Sequence, residues 1–166
     1  MDAETILKAL LEEAQRNPNN AELRFLLGYV CSQGGRHSDA LTEYKTAVRL
    51  DPRFVEAQFN LAQVYSTLGR REEAITAYKA AVELDPNLAV ARDNLASLCW
   101  NSGLREEAIL EWRNLLEREP GHAGAHYKLS VALREMGHVA EAEAHYSRFV
   151  DLVYSDRIAE ANAPDS

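Results

Sequence analysis

Residues Val55 to Leu88 read VEAQFNLAQVYSTLGRREEAITAYKAAVELDPNL. Ala57, Leu61, Ala62, Val64, Tyr65 and Leu68 recur at threes and fours, the spacing of one apolar helix stripe. Gly69 interrupts it, as a glycine just past a helix C-terminus does. Arg70-Arg71 lead into Glu72-Glu73, whose carboxylates complement the N-terminal dipole of a second helix. Ala74, Ile75, Tyr78, Ala81, Val82 and Leu84 form that helix's stripe. It stops at Leu84-Asp85-Pro86-Asn87, because a residue before proline disfavours the α region. The unit is a helix, a short turn and an antiparallel helix.

The same unit recurs on both sides. Pro18, Pro52, Pro86 and Pro120 fall at steps of 34 residues, in phase with Gly35, Gly69, Gly103 and Gly137. Ala40, Ala74, Ala108 and Ala142 keep the step, as do Leu27, Leu61, Leu95 and Leu129. Self-similarity at such a period marks a stacked-repeat protein, in which stability accumulates between neighbours. Four copies are predicted, 21–54, 55–88, 89–122 and 123–156, after a capping helix within 1–20 and before a short partial cap and polar tail at 157–166. Small residues explain the stacking. Gly28, Ala62, Ala96 and Ser130 in the first helices, and the alanine series from Ala40 to Ala142 in the second, let backbones approach closely. Tyr44, Tyr78, Trp112 and Tyr146 are the expected bulky fillers.

These positions resemble the tetratricopeptide repeat family, most clearly through Leu61-Ala62, Tyr65, Gly69, Ala74, Tyr78, Ala81 and Pro86. The resemblance implies an all-α, right-handed α-solenoid of antiparallel helix pairs. Cys31 and Cys99 depart from the aromatic seen at Tyr65, and Leu115 and Phe149 from the small residue seen at Ala47 and Ala81. The fourth copy also lacks the closing proline.

The ends must hide apolar faces. Ile6, Leu7, Leu10 and Ala14 give residues 2–17 the stripe of a second helix without its first, a cap of the kind repeat arrays need. The predicted helix Ala140 to Tyr154 carries Phe149, Leu152 and Val153 on a face that the next helix would cover in an internal repeat. Either Arg157 to Ala161 folds back over it or the face meets another subunit, making a homo-oligomer.

Composition narrows the function. Apolar residues make up 46% of the 166, so the chain is globular. A net charge of -8 argues against nucleic acid as a partner, which would require a basic face. No window reaches the ~18 apolar residues of a membrane span, so no membrane insertion is expected. The N-terminus has no apolar stretch of signal-peptide type. Cys31 and Cys99 occupy equivalent places in non-adjacent repeats, too far apart for a disulfide, and read as buried reduced thiols. That suits a reducing compartment, the cytoplasm.

Reactive constellations are weak. There is no phosphate loop, Cys-x-x-Cys or His-Glu-x-x-His. Glu72/Glu73 and Glu106/Glu107 are explained by their helix starts. His122 and His126 could share a helix face as metal ligands, but with no third ligand in evidence they read as surface histidines. The chain is expected to be no enzyme and to need no cofactor or metal.

A binding surface is better supported. On each first helix, residues opposite the core stripe should line the inner, concave side. Phe25, Tyr29, Phe59, Asn60, Gln63, Asn94, Trp100, Tyr127, Lys128 and Arg134 are its candidates, with aromatics unusual for a face that need not pack. Asn60 and Asn94 stand one repeat apart. An amide donates to C=O and accepts from N–H together, so such a pair could grip an extended peptide's main chain. The family resemblance implies this use as well. It also implies that an acidic chaperone tail is not the ligand, since Phe59, Gln63 and Gly124 occupy places where that carboxylate clamp needs other residues. The expected partner is a protein or peptide segment, extended or helical. The alternative is a scaffold that assembles through its C-terminal helix.

Overall fold

A computed structural model describes the backbone from residue 3 to 161 and side chains from 5 to 154. Among the described residues there are nine helices and no strand. They are α1 (Ala3–Arg16), α2 (Ala21–Gln33), α3 (His37–Leu50), α4 (Val55–Thr67), α5 (Arg71–Leu84), α6 (Ala89–Asn101), α7 (Arg105–Arg118), α8 (Ala123–Glu135) and α9 (Val139–Ala161). The chain divides into two compact units, Met1–Ala91 and Arg92–Ser166.

The turn within each helix pair is built alike. Gly69 takes φ +72°, its N–H donates to Ser66 O (3.0 Å), and Arg70 N–H donates to Tyr65 O (2.9 Å). That pair of bonds is the glycine-dependent helix stop that satisfies otherwise orphaned carbonyls. Arg36, Leu104 and His138 make the same five-residue return bond after Gly35, Gly103 and Gly137, all at positive φ.

In the first unit α1 packs on α2, α2 on α3, α3 on α4 and α4 on α5. Ala40, Ala47, Ala57, Ala62, Ala74 and Ala81 are fully buried at these contacts, and Leu27, Tyr44, Leu61 and Tyr78 fill the space between them. Gly28 shows how tight the crossing is. A Cβ there would stand 2.7 Å from the Tyr44 ring carbons Cδ1 and Cε1. Of the α1 stripe, Ala14 is buried, whereas Ile6 is exposed.

In the second unit α7 packs on α8 and α8 on α9, and α6 meets α7 through a Trp100–Trp112 ring contact at 6.2 Å. Leu95, Cys99, Leu115, Leu129 and Leu133 are its fully buried centre. Two expectations need correcting here. Tyr146 is 45% exposed, unlike Tyr44 at 1%, because among the described residues no helix packs over it from beyond α9. His126 is no surface histidine: it is buried against His145 of α9, with Nδ1 to Nδ1 at 2.9 Å. The backbone of α9 runs unbroken through Ala161; the polar tail at 162–166, and the side chains of the expected partial cap, lie outside the described residues.

A candidate protein-binding face on the first helices

Within each unit the face can be followed side chain by side chain. In the first unit Tyr29 and Leu26 are exposed, at 47% and 44%. Phe25 is only half-buried, resting on Phe54 (5.0 Å) and Tyr44 (5.7 Å). Phe59 is likewise half-buried against Tyr78 at 6.0 Å, while Gln63 is exposed. Both phenylalanines therefore belong partly to the core. Asn60 Nδ2 donates to Glu56 O at 2.8 Å, one turn back along its own helix. That local bond uses one amide proton that a peptide ligand would otherwise take.

The second unit holds the better-formed site. Asp93 on α6 is its electrostatic centre. Trp112 Nε1 donates to Asp93 Oδ1 at 3.0 Å, and Lys128 Nζ donates to Asp93 Oδ2 at 2.6 Å and to Ser97 Oγ at 3.2 Å. Lys128 is thus neutralised within the chain and is not a ready clamp for a ligand carboxylate. Beside this cluster lies a cavity of about 270 Å³ lined by Trp100, Trp112, Tyr127, Val131 and Ala132 together with Ser97, Asn101 and Lys128. Tyr127 is 47% exposed and leans on Phe149 of α9 at 5.2 Å. Arg105 lies over the Trp100 ring, 4.6 Å from its centre, and pairs with Glu135 at 3.1 Å. The charges around the cavity are therefore matched from within, and what it presents is aromatic and aliphatic. A second cavity of about 380 Å³ adjoins Tyr127, Val131 and Arg134 and reaches Tyr146.

So Trp100, Tyr127 and Lys128 converge on one site and Arg134 on its neighbour. Asn94 is half-buried on α6 but does not line either cavity, and Asn60 lies in the other unit. Phe149, Leu152 and Val153 are half-buried; among the described residues the large apolar side chains exposed on α9 are Val139, Tyr146 and Tyr154. His122 is the α8 N-cap, its ring accepting from Ala125 N–H at 3.0 Å. A lone pair spent there is unavailable to a metal, and among the described residues no group of three or more His, Cys, Asp or Glu could hold one.

The bonds of Asp93 were not legible in the sequence. The available signal was the need of a core tryptophan's N–H for an acceptor. Nor was a clasp across the first and third helix pairs legible there. Arg24–Glu43 (3.1 Å) and Arg92–Glu111 (2.6 Å) join positions 19 residues apart in the first and third copies. The second copy has Gln58 and Ala77 there, beside a cavity of about 390 Å³ that also borders Glu72 and Glu73. His126 and His145 hold the position in the fourth.

Antiparallel helix pairs repeated at 34 residues, closed by left-handed glycines and faced by side chains that need not pack, define an all-α solenoid of the protein-interaction scaffold class. The tetratricopeptide repeat family's sequence pattern matches residues 1–52, 32–89 and 94–162, and the chain belongs to that family. No curated protein matches it in sequence. Among solved structures, one of MamA is similar at 23% identity over 94% of this chain and 91% of the other, with a TM-score of 0.87. A second MamA structure is 22% identical over 99% and 89%, also at 0.87. MamA residues 41 to the end from Desulfovibrio magneticus RS-1 are 20% identical over 92% and 86%, at 0.81. At these identities the likeness establishes the fold.

Proposed function

We propose that this chain is an interaction module that holds a segment of a partner protein, extended or helical, against the first helices of its repeats. The observation that carries the reading is the cavity bounded by Trp100, Tyr127 and Val131. At about 270 Å³ it falls below the roughly 300–1,000 Å³ of small-molecule sites and suits one large side chain. Because Lys128 is matched by Asp93 and Arg105 by Glu135, a neutral apolar or aromatic anchor fits better than a carboxylate. In this reading Asn94 supplies a main-chain contact in the second unit, with Arg134 at the neighbouring cavity, and Tyr29, Asn60 and Gln63 form the corresponding face of the first unit. The larger cavity beside Gln58 is a weaker candidate, since carboxylates and small side chains form most of its wall. No reaction is part of the function. Cys31 and Cys99 are buried thiols outside any disulfide, which suits the reducing cytoplasm. Among the described residues no helix is long and apolar enough to cross a membrane.

The test is selection of binders from a displayed random-peptide library. Peptides sharing one large apolar residue, and losing tenfold or more in affinity to Trp100→Ala or Tyr127→Ala at unchanged melting temperature, are the expected result. Peptides selected for terminal carboxylates, or indifferent to both substitutions, contradict the reading. A second reading, self-assembly through Phe149, Leu152 and Val153, is favoured by one observation, the exposure of Tyr146 on the same helix. Sedimentation at two concentrations tests it; a monomer at both removes it.

A further inference from the structure

The fourth helix pair is closed by titratable rings where the first and third are closed by ion pairs. We propose that His126 and His145 form a proton-operated latch between α8 and α9, held by a hydrogen bond that survives only while at least one ring is neutral, so that mild acid releases α9. The inference is independent of the peptide-binding reading.

The geometry assigns the protons. Pro120 O can only accept, so the 3.1 Å contact to His126 Nε2 puts a proton on that nitrogen. His126 Nδ1 is then a lone pair, and the 2.9 Å contact is a donation from His145 Nδ1–H. The chain of bonds runs from α9 through His126 to the loop that precedes α8. A first added proton can go to His145 Nε2, which faces Glu141 Oε1 at 4.0 Å, and the chain survives. A second has no place. On His126 Nδ1 it would set two N–H donors against each other, with no acceptor between them.

The surroundings do not favour accommodating that second charge. From α7, Arg113 and Glu117 face the pair; from α9, Glu141 and Arg148 do. Arg113 already engages Glu141 at 2.7 Å, which withdraws the nearest carboxylate from the rings. Burial above all, then His126 and Arg113, hold the His145 imidazole below its ordinary 6.5, against an opposing pull from Glu141. The sign follows. The unfolded chain protonates both rings as pH falls through about 6.5, while the folded pair, which must keep one acceptor nitrogen for its shared bond, takes up fewer protons. The latch's contribution is thus complete above pH 6.5 and declines below it. Each excluded proton changes the opening equilibrium about tenfold per pH unit. The Arg24–Glu43 and Arg92–Glu111 clasps contain no histidine and serve as the comparison within the same chain.

Amide hydrogen exchange over 139–154, corrected for intrinsic exchange, measures the latch in the full chain. Between pH 7.5 and 5.0 the protection of α9 should fall about tenfold or more, while that of α4 and α5 holds. H126R combined with H145E, which installs the clasp of the first and third copies, should remove the pH dependence. Equal loss in all helices, or a swap variant that still loosens at pH 5.0, overturns the proposal. Should that variant not fold, NMR titration of the histidine rings in the unaltered chain decides. One ring resisting protonation well below pH 6.5 supports the latch, and two rings titrating at ordinary values refute it.

Discussion

Gly28→Ala tests the packing that allows these helices to stack. By intrinsic propensity alone, alanine in the middle of α2 should raise stability by about 0.8–1 kcal/mol over glycine. Tertiary structure opposes this. The new methyl would sit 2.7 Å from two Tyr44 ring carbons and 3.0 Å from a third, whereas carbon contacts are most favourable at about 3.5–4.0 Å. Tyr44 is 1% exposed and has Phe25 against it at 5.7 Å, so the ring has little room to retreat. Overpacking of this kind costs about 1–3 kcal/mol, leaving a net destabilisation of up to about 2 kcal/mol. Urea unfolding followed by circular dichroism measures it, and a Tyr44→Leu background supplies the control. With the ring gone, Gly28→Ala should become stabilising, giving a coupling of about 1–3 kcal/mol between the two positions. Equal stabilisation of about 1 kcal/mol in both backgrounds would refute the reasoning, since it would mean that the ring does not confine that backbone.

Other consequences can be measured on the same footing. Ala74→Leu places a larger side chain at a fully buried helix crossing and should cost at least about 1–3 kcal/mol; an unchanged thermal melt would contradict it. Gly69→Ala meets no atom within 4 Å, so its expected cost of about 1 kcal/mol is conformational, from φ +72° alone, and Gly69→Asn should recover part of it in the same melt. The Arg92–Glu111 side chains are 9% and 14% exposed against 22% and 19% for Arg24–Glu43. Arg92→Ala should therefore destabilise by about 3–5 kcal/mol and Arg24→Ala by less, as denaturant midpoints would show. Tyr44 carries a buried hydroxyl with no partner among the described residues, and burial pushes its pKa up to about 12. Tyr44→Phe should be neutral or stabilising by up to about 1 kcal/mol; a loss above 1 kcal/mol would reveal a bond to that hydroxyl.

The helix pairs, their turns and the family were legible in the chain because the signals are local and repeated. A glycine four times in phase before a polar helix start leaves little choice of conformation at Gly35, Gly69, Gly103 and Gly137. The candidate site was legible in part. Trp100, Tyr127 and Lys128 were placed on one face by helical period alone, and they do line one cavity. Period gives the face of a helix but not the partner across it. Phe25 and Phe59 share that face yet turn half into the core, because Tyr44 and Tyr78 stand within reach.

The sequence by itself determined the 34-residue unit and its helix–turn–helix pattern, consequences of hydrogen bonding and sterics within a few residues, whereas the last helix runs on to Ala161, past the Tyr154 expected from the pattern. Tertiary structure alone decided how polar groups 19 to 35 residues apart are matched. Asp93 takes the Trp112 indole and the Lys128 ammonium, and His126 takes His145 where other copies use arginine and glutamate. Residue type is compatible with many such pairings. Only packing brings one acceptor within 3 Å of one donor and removes the water that would otherwise serve both.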